Sequence, residues 1–536
     1  MKHITSLFIA CYFLFSTFLN AQFWKTYPYT PPKSLISFPR DEGRHPGEPQ
    51  EWWYTTMHLR GKTTGQEYTV MLTYFIQNYG TLPGFRILNF SNETTHRFFD
   101  DTKPVVYLKL DTSALNIEAQ VFTTHQEYWR TSLDSTGKLI PFEYDIHALT
   151  KRGTLDVHLT MTKPPLILAD SGFFYQGKEN YTYYYSQTGV KISGSFSFLG
   201  TSEEIEGMGW IDRQYGDFNP YIGEKYEWFS IRLSNGMDFN LWNIFTPRNK
   251  VPASPKYKLL SAYINEHEST TTSDFTLERT KFQKLPRMGN IYASEWHLTC
   301  NQLNIDLTLS TPNKISEVRN PFFFYEGTLD ARGIIDGKAV NGIGFAELLQ
   351  QYVNPQIVLL NPDTVWNTFE PIKWSITNPN DGVNLYYDLY YKESKASQFQ
   401  LIQRTQTDTF YNFDPDLIKE KDSLWFKLFA YSKDTFLRDT VYSKNAIPLY
   451  NSNENLYIKT IQLTPNPANN RLTIYLPREN DSAKVSIRNI QGKCIYKEET
   501  KNKSKITVDI SSFQKGVYII EYWHSGYSTT KSFIKI

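Results

Sequence analysis

At 536 residues the chain exceeds what one hydrophobic core covers, so several domains are expected. A formal net charge of +1 gives no electrostatic basis for binding nucleic acid, and three cysteines are too few for a disulfide scaffold. Aromatic residues make up 16%, with 37 Tyr and 36 Phe, a composition that favours sheets and aromatic-lined cavities over helical bundles.

Residues 1–21 read as a secretory signal peptide, with Lys2 as the charge, an apolar run over residues 4–19, and Leu19-Asn20-Ala21 as the cleavage site. The run is short for a membrane anchor. Its removal leaves Cys300 and Cys494, far apart in the chain, so the domains depend on their cores. The ten histidines show no ligand-type spacing, and neither a metal nor a cofactor is expected.

A Pro- and aromatic-rich lead-in precedes the charged, turn-rich stretch from Phe38 to Gln50, which runs directly into the strand Glu51-Trp52-Trp53-Tyr54. Tyr68, Val70, Leu72, Tyr74 and Ile76 then recur with period two, while Met71 and Phe75 make the opposite face apolar as well. A strand apolar on both faces fits the wall of a barrel.

Leu155–Met161 and Leu303–Leu309 alternate in the same way and align at an offset of 148 residues. A second pair agrees in order: Gly207-Met208-Gly209-Trp210-Ile211-Asp212 is answered by Gly342-Ile343-Gly344-Phe345-Ala346-Glu347 at an offset of 135. Residues 38 to about 352 are therefore read as two related antiparallel units, the second with a shorter loop. On the first of these motif strands Trp210, Asp212 and Gln214 share one face, and Ile211, Arg213 and Tyr215 the other. A polar face on such a strand is either a site or a solvated edge.

Beyond Gln350 the alternating segments around Trp374, Tyr387 and Trp425 describe a small β-sandwich, whose strands resemble those of a fibronectin type III module. A polar linker near Asn451 leads to a second small sandwich. Its Pro465-Asn466-Pro467 opening, Gly516-Val517-Tyr518-Ile519-Ile520 centre and Phe533-Ile534-Lys535 end resemble the type A C-terminal sorting domain of the type IX secretion system. That resemblance implies passage through the periplasm, transit of the outer membrane by the type IX machinery, removal of the tail, and release or attachment at the cell surface.

Three segments carry a further resemblance: Phe38 to Leu59, Gly207 to Gly216, and Phe322 to Leu348. Together they are similar to the AttH-like and carotenoid 1,2-hydratase family, whose members are built from two lipocalin-like barrels. The family includes carotenoid hydratases, a fungal hydratase of plant-defence compounds, and lipocalin-like cyclases, so the resemblance implies an apolar isoprenoid- or lipid-like ligand. The expected organisation is all-β: a signal peptide (1–21), a first lipocalin-like barrel with its lead-in (22–200), the motif strand and second barrel (201–352), a fibronectin-like sandwich (353–450) and the sorting domain (451–536).

Hydrating an alkene requires a proton donor in a dry pocket, aromatic faces that stabilise a carbocation, and one admitted water. The residues offered for this are Asp212 and Tyr215 as catalytic groups, with Trp52, Trp53, Tyr54, His58, Trp210, Arg213 and Glu347 contacting ligand. Glu51 and Glu347 are alternative acids, and Glu326 is read as scaffold. In the carotenoid hydratases the motif is approximately Y-H-D-H-x-W-G; here Ile211 and Arg213 stand for the two imidazoles and Tyr215 for the tryptophan, and only Asp212 is kept. Three functions stay open: a carbon–oxygen lyase or cyclase, a non-catalytic lipid or terpenoid carrier, and a surface protein binding glycans or partners.

Overall fold

The computed structural model describes residues 22–77, 84–122, 125–218, 222–360, 371–413, 423–443, 447–448, 461–476, 482–501, 503–524 and 527–536. Residues 1–21, expected to be a signal peptide, and the segment read as a polar linker near Asn451 lie outside them. The described residues are organised almost wholly as antiparallel strands, with two single-turn 3-10 segments and no α-helix. They fall into two units, the first running to Asn354 with short later segments, the second comprising Pro355–Thr377, Leu385–Tyr431 and Arg438–Ile536.

The first unit holds a 13-stranded sheet that is nearly a closed barrel and a 10-stranded half-barrel. In the first sheet the strand Gln50–Gly61, here the Trp52 strand, pairs with the last strand, Thr201–Asp217, the Asp212 strand. The Asp212 strand pairs in turn with the Ser186 strand (Asn180–Phe198), and that with the Asp156 strand (Gly153–Met161). The second sheet repeats this order with the Trp228 strand (Lys225–Leu233), the Glu347 strand (Lys338–Leu348), the Glu326 strand (Phe324–Ile335) and the Asp306 strand (Ile305–Ser310). Pairing the first strand of a sheet with its last bends it toward closure and removes a bare edge.

The register makes the repeat explicit. Asp212 lies between Tyr54 and Ser186, and Glu347 lies between Trp228 and Glu326. The 135-residue offset is thus the structural one. The 148-residue offset is shifted by two: Gly194 faces Val157 and Gly333 faces Leu307, which equates Asp156 with Asp306. A shift of two keeps the strand's face, which is why the sequence pattern tolerates it. A Cβ at Gly194 or at Gly333 would lie 2.1 Å from the Asp156 or Asp306 carbonyl oxygen, so both sheets require glycine at this crossing.

Each sheet wraps its own apolar core. Trp129, Tyr144, Leu159, Ile211 and Tyr215 belong to the first; Phe229, Leu241, Trp296, Leu307 and Tyr325 to the second. A third cluster belongs to neither interior: Tyr54, Met71, Tyr184 and Trp210 from the first sheet pack with Trp228, Trp242, Ile244 and Phe345 from the second. The outward faces of the two sheets are therefore joined by apolar packing of their own. The second unit forms two further small pairs of sheets, with cores around Trp374, Tyr387, Leu424 and Phe426, and around Ile474, Val485, Ile520 and Phe533.

Candidate functional site

A cavity of about 770 Å³ lies between the outward faces of the two sheets of the first unit. That volume suits a drug-sized or terpenoid-sized molecule. Trp52, Tyr54, Phe75, Tyr184 and Phe218 line it from the first sheet and its connections, and Tyr226, Trp228, Trp242 and Phe324 from the second. Two carboxyl groups reach it from the facing strands, Asp212 from one sheet and Glu347 from the other, and Glu224 and Lys225 add charged groups to the lining. Amides of Gln50, Gln176 and Gln214 are part of the remaining polar lining, with Gln214 donating to Gln176 at 3.1 Å.

Strand alternation positions Asp212. Its face is the one that carries Trp210 and Gln214, turned away from the core of the first sheet. Three donors converge on the carboxyl: Ser186 Oγ at 2.6 Å and Trp210 Nε1 at 2.7 Å on Oδ1, and the Tyr184 hydroxyl on Oδ2. Asn240 of the second sheet donates to both Ser186 Oγ (3.0 Å) and the Tyr184 hydroxyl (3.2 Å), holding those donors in place. Burial pushes the Asp212 carboxyl up to about 7 against the pull of its three donors, and the nearby Glu347 adds to the rise. A carboxyl so placed can hold or release a proton near neutral pH.

Glu347 occupies the same register position in the second sheet but has a different neighbour. Where Asp212 faces Ser186, Glu347 faces Glu326. Tyr226 donates to Glu347 Oε1, and Tyr54, from the first sheet, donates to Glu326 Oε1 at 2.8 Å. Burial first, then the charge of Glu347, holds Glu326 well above the usual carboxylate range, and burial raises Glu347 too.

The other face of the Asp212 strand points into the first sheet. Arg213 pairs with Glu51, donates to Gly43 O at 2.6 Å and to Trp52 O at 3.0 Å, and lies 3.9 Å over the Trp53 ring. Tyr215 is stacked between His45, with centroids 3.6 Å apart, and Tyr183, at 5.0 Å. Trp53 donates from Nε1 to Glu42 O at 2.8 Å. Together with Arg44 and Asp41 these groups knit the charged Phe38 to Gln50 stretch onto the barrel. His45 is kept neutral at ordinary pH, because burial lowers it to about 4 despite Asp41.

Of the residues singled out in the sequence, the structure therefore brings Trp52, Tyr54, Asp212 and Glu347 to one cavity, with Trp210 behind Asp212 as a donor. Trp53, Arg213 and Tyr215 lie on the opposite side of their strands. His58 packs edge-on against Phe345 of the second sheet, with ring centroids 4.9 Å apart, and burial holds its imidazole well below the ordinary value. Sequence reasoning missed Tyr184, Trp228, Trp242 and the pairing of Glu326. Trp228 had a signal: extending the repeat to the neighbouring strand places Trp228 where Tyr54 stands in the first copy. Among the described residues no cluster of three or more His, Cys, Asp or Glu side chains is arranged to hold a metal ion.

Comparison with known proteins divides the chain in the same way. Residues 29–352 match the family described as AttH-like, and residues 462–536 match the secretion system C-terminal sorting domain. No curated protein sequence matches the chain. Among solved structures, a putative AttH from Nitrosomonas europaea is 18% identical, with 60% of this chain and 98% of that one covered and a TM-score of 0.49. Kievitone hydratase from Nectria haematococca is 17% identical over 60% of this chain and 98% of its own, with a TM-score of 0.47.

Proposed function

The chain belongs to the AttH-like family, and from that premise we propose that its first unit binds an apolar isoprenoid- or lipid-like molecule between the two sheets and hydrates or cyclises it. The type IX sorting domain at residues 462–536 directs the protein across the outer membrane, to the cell surface or the medium. In the same reading residues 1–21 are its signal peptide and residues 353–450 a fibronectin-like spacer ahead of the tail.

One observation supports the ligand reading above the others: aromatic rings from both sheets and two buried carboxyl groups line the same cavity. An apolar molecule gains by leaving water for such walls, and a cation developing on it meets indole and phenol faces. A carboxyl near neutrality can then supply or remove a proton. Mass spectrometry of molecules extracted from the natively exported protein tests the class of ligand. An isoprenoid or lipid is expected, and the Trp228→Ala variant should retain roughly tenfold less of it. Recovery of no apolar ligand, together with binding to a glycan array, would replace this reading with a surface-recognition role.

The triple hydrogen bonding of Asp212 favours a second reading, a carrier in which that carboxyl only braces the two sheets. Asp212→Asn separates the two. Loss of turnover of the extracted ligand with binding and melting temperature intact supports an enzyme; unchanged behaviour supports a carrier.

A further inference from the structure

Glu326 and Glu347 face each other on adjacent strands, and burial acts on both carboxyls. Two carboxylates set against each other have no donor between them, so the pair meets favourably only when one of them keeps a proton. The surroundings reinforce the requirement. Glu326 Oε2 is shielded from solvent, and no N–H or hydroxyl reaches it. Each carboxyl receives one phenol, from Tyr54 and Tyr226, and among the described residues no cation acts on either. Asp212, across the same cavity, is provided for in the opposite way, with three donors that favour its ionised form.

We propose that Glu326 and Glu347 share one proton as a dyad, that Glu347 delivers it to an alkene carbon of the bound molecule, and that Asp212 takes the proton released by the attacking water. This rests on the reading of the cavity as an apolar-ligand site. In the first step the Glu347 O–H bond breaks, the alkene π pair forms a new C–H bond, and the adjacent carbon becomes a cation facing the aromatic walls. Water then forms the C–O bond through a lone pair and gives one proton to the Asp212 carboxylate. The sum is the addition of one water across the double bond. Glu347 is left ionised and Asp212 protonated, and exchange with solvent after product release restores both. Glu326 does not line the cavity; it is a positioning residue that keeps the proton on the dyad.

Two measurements on the full-length protein test this. In infrared spectra at about pH 9, where an ordinary carboxyl is ionised, the wild type should show the carbonyl stretch of a protonated carboxylic acid, shifted in D2O. That band should vanish in Glu326→Gln and in Glu347→Gln and persist in Asp212→Asn. A band absent from the wild type, surviving either glutamate substitution, or lost in Asp212→Asn overturns the shared proton. The second measurement uses geranylgeraniol as the probe, incubated in D2O and followed by mass spectrometry. Deuterium should enter the probe with wild type; the rate should fall by about 100-fold or more in Glu347→Gln. In Asp212→Asn exchange should continue while the hydrated product is lost. Geranylgeraniol that binds without acquiring deuterium overturns the donor role and leaves the ligand reading standing. Failure of the probe to bind wild type, with the infrared band intact, overturns the ligand reading and the donor role with it, and leaves only the shared proton.

Discussion

Asp212 and Glu347 occupy one position in two copies of the same strand, yet their surroundings differ in kind. In the first sheet the cross-strand neighbour is Ser186, a donor; in the second it is Glu326, another acid. Both carboxyls are raised by burial, but the first is held by three hydrogen-bond donors and the second by one phenol and a second acid. A duplicated scaffold thus presents two acids to one cavity and treats them asymmetrically. Two titratable groups set apart by environment in this way are the usual basis for assigning separate acid and base roles.

The largest expected effect tests the Asp212 half of that contrast. Its folded-state carboxyl is raised to about 7, so over the range from about pH 4 to pH 7 the folded protein keeps a proton that the unfolded chain has released. The stabilisation this provides is complete below about pH 4 and is lost as pH rises through 7. Asp212→Asn should remove up to about 4 kcal/mol of that pH dependence, read as a smaller difference between denaturation midpoints at acid and alkaline pH. Some slope should remain, because burial also pushes Glu42 up to about 7. An undiminished slope in the variant would mean that Asp212 is ionised throughout.

Next in size is a test of the equivalence itself. Gly194→Ala and Gly333→Ala each place a methyl group against a neighbouring carbonyl, and each should destabilise by about 3 kcal/mol in calorimetric unfolding. If only one of the two were harmful, the crossings would not be equivalent. The smallest effect sharpens the electrostatic difference. Ser186→Ala removes one of the donors on Asp212 and should cost about 1–2 kcal/mol above pH 7, with less effect at acid pH, where the carboxyl is protonated. A carbon-13 carboxyl titration should find Asp212 shifted further upward in this variant. A downward shift would contradict the role given to the hydroxyl.

Much of this was legible in the chain. Alternation correctly separated Trp210, Asp212 and Gln214 from Ile211, Arg213 and Tyr215, because a strand's faces follow from its own pleat. The matching of Asp212 with Glu347 was legible too, through the glycines and aromatics around them. The assignment of Trp53 and Arg213 to ligand and of Tyr215 to catalysis had a different basis, their nearness in sequence to Trp52 and Asp212. On a strand such nearness sends neighbours to opposite sides, and these three side chains face the charged stretch that contains Glu42, Gly43 and His45. Glu326 was read as scaffold because equivalence between the two copies favours a role shared by both, and nothing in its own segment announces that a second acid lies opposite.

The sequence by itself determined the all-β character, the internal duplication, the export tail and the faces of the individual strands. All of these are written in short-range periodicity or in contiguous motifs. Only the tertiary structure decided that the cavity lies between two sheets and not inside a barrel, and that Glu326 meets Glu347. Those outcomes depend on which strands pair, in what register, and on which outward faces find each other, and such contacts join residues as distant as Tyr54 and Glu326.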